Sequence, residues 1–114
     1  MPGKFCVSLT CSKNDTDKAT VAFVVANAAV ASDKETMVFL SIEGVRLSQQ
    51  GFADDIHEAG FSPLKELIAN FTKAGGVIWV CSPCFKKRGL DEKKLIGGAK
   101  LVEFLSAGAP SVTY

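Results

Sequence analysis

Apolar positions in this chain fall into two patterns: short unbroken runs, and longer stretches in which they recur with a helical period. Lys4 to Thr10 is short and apolar enough for a first strand, and the polar loop Cys11-Ser12-Lys13-Asn14-Asp15 follows it. Asp15 or Thr16 caps a helix running to about Ala31, because their side-chain oxygens accept free N-terminal amides. Val21, Ala22, Val24, Val25, Ala28 and Ala29 give that helix a broad apolar face. Thr36 to Ser41 is a continuous apolar run, as expected of a strand buried on both faces. Gly44 to Gln50 reads as a short helix, and Gly51 to Ser62 has no clear period and reads as a loop. Ser62-Pro63 starts the next helix, with Ser as cap and Pro in the first position. Leu64, Leu67, Ile68 and Phe71 repeat at helical spacing until Gly75-Gly76 ends it. Val77-Ile78-Trp79-Val80 is a third buried strand. Beyond it, Asp91 caps a turn of helix, Leu95-Ile96 reads as a stub of strand, Ala99 to Ala107 as a helix, and Pro110 to Tyr114 as a last strand.

Strands alternating with helices predict a three-layer α/β/α architecture: a mostly parallel sheet of four to five strands with helices on both faces. Residues 1–114 suit one domain, since the length is near the commonest domain size. Right-handed crossovers bring the C-terminal ends of all strands to one edge of the sheet, where open α/β folds bind ligands. Cys11, Ile42-Glu43-Gly44 and Cys81 all fall at that edge.

Composition narrows the function. A formal net charge of +1 argues against a general nucleic-acid binder, whose affinity rests on phosphate contacts. The most apolar stretch, Ala19 to Ala31, is interrupted by Asn27 and is shorter than the roughly 20 residues of a membrane span, so no membrane partner is expected. The N-terminus lacks the apolar length of a secretory signal, so the expected location is cytoplasmic. There is no Gly-x-Gly-x-x-Gly after the first strand, no phosphate-binding Lys-Ser/Thr loop and no Gly-x-Ser-x-Gly elbow. With a single His, a hydrolytic triad is not supported, and no cofactor is implied.

The chemistry concentrates in the cysteines Cys6, Cys11, Cys81 and Cys84. Cys6 lies in mid-strand and is expected in the core. Cys81, at the end of the third strand before a Ser-Pro turn, is the candidate reactive thiol, and nearby Lys86, Lys87 and Arg88 would favour its thiolate. Cys84 completes a Cys-x-x-Cys with it, a spacing that permits a disulfide or supplies two metal ligands. A closed metal site needs further ligands, so no metal is assigned. Cys11 faces Cys81 if the first and third strands are neighbours; otherwise it is an unpartnered loop thiol. Glu43 orients a ligand or accepts a proton, or else is a carboxylate favoured at a helix start. With Gly44 it forms one wall of the candidate ligand site. Lys86, Lys87 and Arg88 form the other, as an anion-binding group or as a solvated face.

The order of elements, together with Met37-Val38-Phe39-Leu40-Ser41-Ile42-Glu43-Gly44-Val45-Arg46-Leu47 and with Trp79-Val80-Cys81-Ser82-Pro83-Cys84 before Arg88-Gly89-Leu90, resembles the DsrE/DsrF-like family through nearly the whole chain. The resemblance implies a compact three-layer α/β fold, assembly into homotrimers or hexamers, and, in some members, a sulfur relay carried as a cysteine persulfide. It also implies sulfur donor and acceptor proteins as partners. In sulfur-carrying members the active cysteine ends a strand, eight residues before the Gly of an Arg-Gly pair. Cys81 and Gly89 have that spacing, so the role falls on Cys81. A noncatalytic oligomer binding a small ligand or anion, and a dithiol redox protein using Cys81 and Cys84, are the alternatives. Phe52, Phe61, Phe85 and Phe104 add aromatic mass beside short loops, which predicts an apolar interaction surface with the Gly51–Ser62 loop at an interface near Cys81.

Overall fold

The computed structural model describes residues 3–102 and 111–113. Five strands, β1 (Lys4–Leu9), β2 (Glu35–Leu40), β3 (Val77–Cys81), β4 (Ala99–Val102) and β5 (Ser111–Thr113), form one sheet in the order β4-β3-β2-β1-β5. All four pairings are parallel. The helices are α1 (Thr16–Ala31), α2 (Leu64–Lys73) and α3 (Ser82–Lys87), with a 3₁₀ turn at Ile42–Ser48. The connections β1–β2, β2–β3 and β3–β4 all step the same way across the sheet. Right-handed crossovers therefore put α1 and α2 on one face, where they pack against each other. None of the helices among the described residues is long and apolar enough to cross a membrane.

The core lies between those two helices and the sheet. Val7 and Leu9 of β1, Val38 and Leu40 of β2, and Ile78 and Val80 of β3 share one face by strand alternation, and all six are fully buried. α1 meets them through Phe23 and through Ala19, Ala22, Ala26 and Ala29, whose small side chains let the helix lie close to the sheet. Phe23 and Phe71 meet edge to face at a centroid separation of 5.9 Å, joining α1 to α2. Burying each such ring is worth about 1.5–3 kcal/mol. Asn27 adds a polar tie by donating from Nδ2 to the carbonyls of Phe23 (2.9 Å) and Leu67 (3.0 Å).

Helix starts follow local chemistry with one change. Asp15 caps α1, accepting from the Lys18 amide at 3.1 Å. α2 begins one residue later than expected, because Pro63 is extended (φ −53°, ψ 141°) and stands at the cap. The Leu64 amide is satisfied instead by the Ile56 carbonyl at 3.0 Å, across the preceding loop. Asp91 caps the short turn Glu92–Lys94 by accepting from the Lys93 amide.

Two expectations near the C-terminus are corrected. Leu95-Ile96 is not a strand of the sheet: Leu95 makes a single antiparallel bridge to Gln49. Ala99–Val102 is strand rather than helix, because it fills the free edge of β3 in the register Ile78↔Ala99 to Cys81↔Val102. The rest of that expected helix, 103–107, lies outside the described residues. Phe85 is a third correction, since its ring turns inward and is 2% exposed, in the core. Phe52 is half-buried beneath the Lys13 ammonium, 4.6 Å from its ring centre, and only Phe61 of that group is exposed; Phe104 lies outside the described residues.

Candidate functional site

At the C-terminal edge of the sheet, the ends of β2 and β3 bring two turns together. β3 ends on Cys81, which caps α3, and Cys84 follows in the first turn of that helix. Both thiols are half-buried and reduced, and they are hydrogen-bonded to each other. Opposite them, β2 runs through Ser41 into the Ile42–Ser48 turn, whose first amide, that of Ile42, hydrogen-bonds to Cys84.

That turn is unusually constrained. Ile42 has φ +53°, a left-handed conformation that a β-branched residue adopts at a cost of about 1–3 kcal/mol. Two residues on, Gly44 lies flat against the end of β1, and its amide donates to the carbonyls of Thr10 (3.1 Å) and Ser41 (2.9 Å). A side chain at position 44 would run into the Leu9 carbonyl. Gly44 therefore serves as a packing residue that presses the turn onto the sheet, and its amide is already used.

Glu43 is held between two arginines. Its Oε1 accepts from Arg46 Nε and its Oε2 from Arg88 Nε, each at 2.8 Å. Hydrogen bonds from Arg88 first and Arg46 second hold the Glu43 carboxyl below its ordinary range. Arg88 has a side chain only 14% exposed, and it also donates from Nη1 to the Cys84 carbonyl at 3.2 Å. A chain of contacts thus runs from Arg46 through Glu43 and Arg88 to the backbone of the second cysteine.

The electrostatic result is focused on Cys84. Burial by itself pushes its thiol up. The hydrogen bonds with the Cys81 thiol and the Ile42 amide, with the positive charges of Arg88 and Lys87, outweigh burial and leave it below the ordinary thiol value. By contrast, Cys6 is 1% exposed and burial raises its pKa, so it is a core thiol as expected.

The other candidates are dispersed. Cys11 is half-buried and lies within 3.8 Å of Thr10 Oγ1. Because β2 lies between β1 and β3, the first and third strands are about 10 Å apart, which exceeds the Cα separation of roughly 7 Å allowed for a disulfide. The adjacency required for a Cys11–Cys81 pair is absent. Lys86 and Lys87 are exposed in the last turn of α3. His57 closes its own loop through a 2.8 Å bond between Nε2 and the Phe61 carbonyl. No three His, Cys, Asp or Glu side chains cluster as metal ligands among the described residues. A cleft of about 350 Å³, lined by Leu47, Ala53, Lys65, Ile68, Thr72 and Ile96 among others, has no cysteine in its wall.

Arg46 was not anticipated as a member of the site, nor was the left-handed backbone of Ile42. Arg46 could have been found from its i+3 spacing to Glu43, which pairs opposite charges on a helical turn. Ile42 had no such signal, since nothing in a β-branched residue announces a left-handed backbone.

A small parallel α/β domain with a dithiol at the C-terminal edge of its sheet is the class defined by this arrangement. Comparison with known proteins is consistent with it: the model of the DsrE/DsrF-like family matches residues 3–110, and the chain belongs to that family. It is 34% identical over 98 residues to the uncharacterized protein MJ0989 of Methanocaldococcus jannaschii, covering 86% of this chain and 82% of that one. It is 28% identical over 102 residues to the uncharacterized protein MJ0760 of the same organism, covering 90% of this chain but only 35% of the larger relative. Among solved structures, the ychN protein from E. coli superposes with a TM-score of 0.67 at 17% identity over the whole of both chains. The protein of unknown function MTH1491 from Methanobacterium thermoautotrophicum gives 0.63 at 15% identity, over 89% of this chain and 82% of that one. At these identities the structural matches establish the fold.

Proposed function

We propose that this protein is a sulfur carrier of the sulfur-relay type, holding a persulfide on Cys81. The observation that carries the reading is the Cys81–Cys84 thiol pair at the C-terminal edge of the sheet, set in a cationic, hydrogen-bonding surround. Thiolate is the form that attacks a sulfane sulfur. With Cys84 favouring its anion, the Cys81 proton has an acceptor within hydrogen-bond reach, so Cys81 attacks the outer sulfur of a donor persulfide as its proton passes to Cys84. The donor departs as a thiolate, and Cys81 keeps the transferred sulfur. Lys86 and Lys87 at the exposed end of α3 suit an anionic donor, while Arg88, Glu43 and the turn at Gly44 hold the surround of the thiol pair in place.

Sulfur donor and acceptor proteins are the partners in this reading, and a homo-oligomer, trimer or hexamer, is the working form. Exposed Ile42 beside the site supplies apolar surface for such contacts. A cytoplasmic setting fits, since the carrier works with reduced thiols.

A sulfane-sulfur donor followed by intact-mass analysis tests the reading. The wild type gains about 32 Da per persulfide, and Cys81→Ser removes the gain. An adduct of equal yield on Cys81→Ser would reject Cys81 as the carrier. Sedimentation at micromolar concentration tests assembly, where a monomer near 12.1 kDa would reject the oligomer.

A further inference from the structure

We propose that the pair also reduces the sulfur it carries: Cys84 resolves a persulfide on Cys81, closing an intrachain disulfide and releasing hydrosulfide. This inference rests on the persulfide reading above and adds an activity to it, the reductive release of sulfane sulfur.

The geometry favours the step. Cys81 caps α3 and Cys84 lies in its first turn, and their thiols already touch through a hydrogen bond. Residues three apart on a helical turn have Cβ atoms about 5–6 Å apart, and a disulfide asks for Cβ atoms about 3.5–4.5 Å apart, so closure takes an approach of about 1–2 Å, which a cap residue outside the regular helix can supply. Cys11 stands beyond β2 and does not compete. The Cys84 backbone is held by Arg88 through its carbonyl, and Arg88 is held by Glu43, so the attacking sulfur stays beside its target.

In the step, the Cys84 sulfur attacks Cys81 Sγ. The bond between Cys81 Sγ and the carried sulfur breaks, and its electron pair leaves with the carried sulfur. Cys84 attacks as the thiolate, having lost its proton to solvent, and the carried sulfur keeps its own proton and departs as HS⁻. It has gained two electrons, and the two cysteine sulfurs have lost them in forming the disulfide. A further turnover requires an external dithiol, a small molecule or a dithiol protein, to return the pair to thiols.

The test loads wild type, Cys84→Ser and Cys84→Ala anaerobically with inorganic polysulfide, removes the excess, and follows intact mass and released sulfide. In the wild type, the adduct of about 32 Da should give way to a species about 2 Da lighter than the reduced chain, with equimolar sulfide. Both Cys84 variants should keep the adduct at least about tenfold longer, a difference of about 1.4 kcal/mol in barrier. A wild-type adduct as long-lived as that of the variants overturns the resolving role and leaves the carrier reading standing. If no adduct appears on any of the three chains and the wild type stays at its reduced mass, the carrier reading falls and takes this inference with it.

Discussion

Replacing Gly44 with alanine puts a Cβ well inside van der Waals contact with the Leu9 carbonyl oxygen and 3.1 Å from the Leu9 carbonyl carbon. Both obstacles are backbone atoms of β1, whose partners on either side are β2 and β5, so no flexible side chain can swing away. The turn itself must lift. That breaks the Gly44 amide bond to Thr10 and moves Ile42 and Glu43, its neighbours. Overpacking of this kind costs about 1–3 kcal/mol, and the ordinary entropic gain of Gly→Ala returns about 0.4–1, leaving a net loss of about 1.3 kcal/mol. With an unfolding entropy of about 2.1 cal/mol/K per residue, a chain of this size should melt about 5 °C lower. Circular dichroism melts of Gly44→Ala beside wild type measure it. Gly97→Ala is the control, since a Cβ there meets nothing within 4 Å and the residue needs no left-handed backbone. The same displacement should slow alkylation of Cys84 near neutral pH by withdrawing the Ile42 amide. A Gly44→Ala melting point within about 2 °C of wild type, with unchanged Cys84 reactivity, would refute the view that this glycine seats the turn that serves the thiol.

Two further outcomes follow from the charges at the site. Cys84 should alkylate with a midpoint below that of a free thiol at about 8.5, and Lys87→Gln, which removes one of the nearby positive charges, should move the midpoint up. Because the folded thiol ionises more readily than the unfolded one, stability should rise with pH between the two values and be lost as pH falls through the folded one; chemical denaturation of wild type and Cys84→Ser across that window reads it, and a difference that ignores pH would count against the thiolate. Glu43→Gln leaves Arg88 without its carboxylate and should cost on the order of 1 kcal/mol near neutral pH, after allowance for the partial exposure of the pair. That cost should vanish in acid, as wild-type Glu43 is itself protonated below its lowered pKa; a cost equally large at low pH would mean that packing, not charge, is what the substitution removes.

Much of the frame was legible in order and period. β1, β2 and β3 coincide with the three apolar runs, and α1 and α2 with the two helical repeats, because strand alternation and helical spacing are local properties that burial then rewards. The Cys-x-x-Cys spacing likewise placed two thiols within one turn before any tertiary contact was known. Ala99–Val102 was misjudged since its short apolar run suits either state; what decides it is the open edge of β3, a partner twenty residues away. Strand order, which separates Cys11 from Cys81, is also set by which edges pair and leaves no mark on either segment.

What the amino-acid order determined by itself was therefore the set of elements and the cysteine pair. Only the tertiary structure decided what surrounds the thiols. Cys84 is favoured by an amide from the end of β2 and by an arginine clamped by Glu43, groups whose side chains and backbone meet only when β2 and β3 lie side by side. Ile42 accepts a left-handed backbone for the same reason: the Gly44 contact with the end of β1 fixes the path of the turn, and burial of Val45 and Leu47 just beyond offsets the local strain.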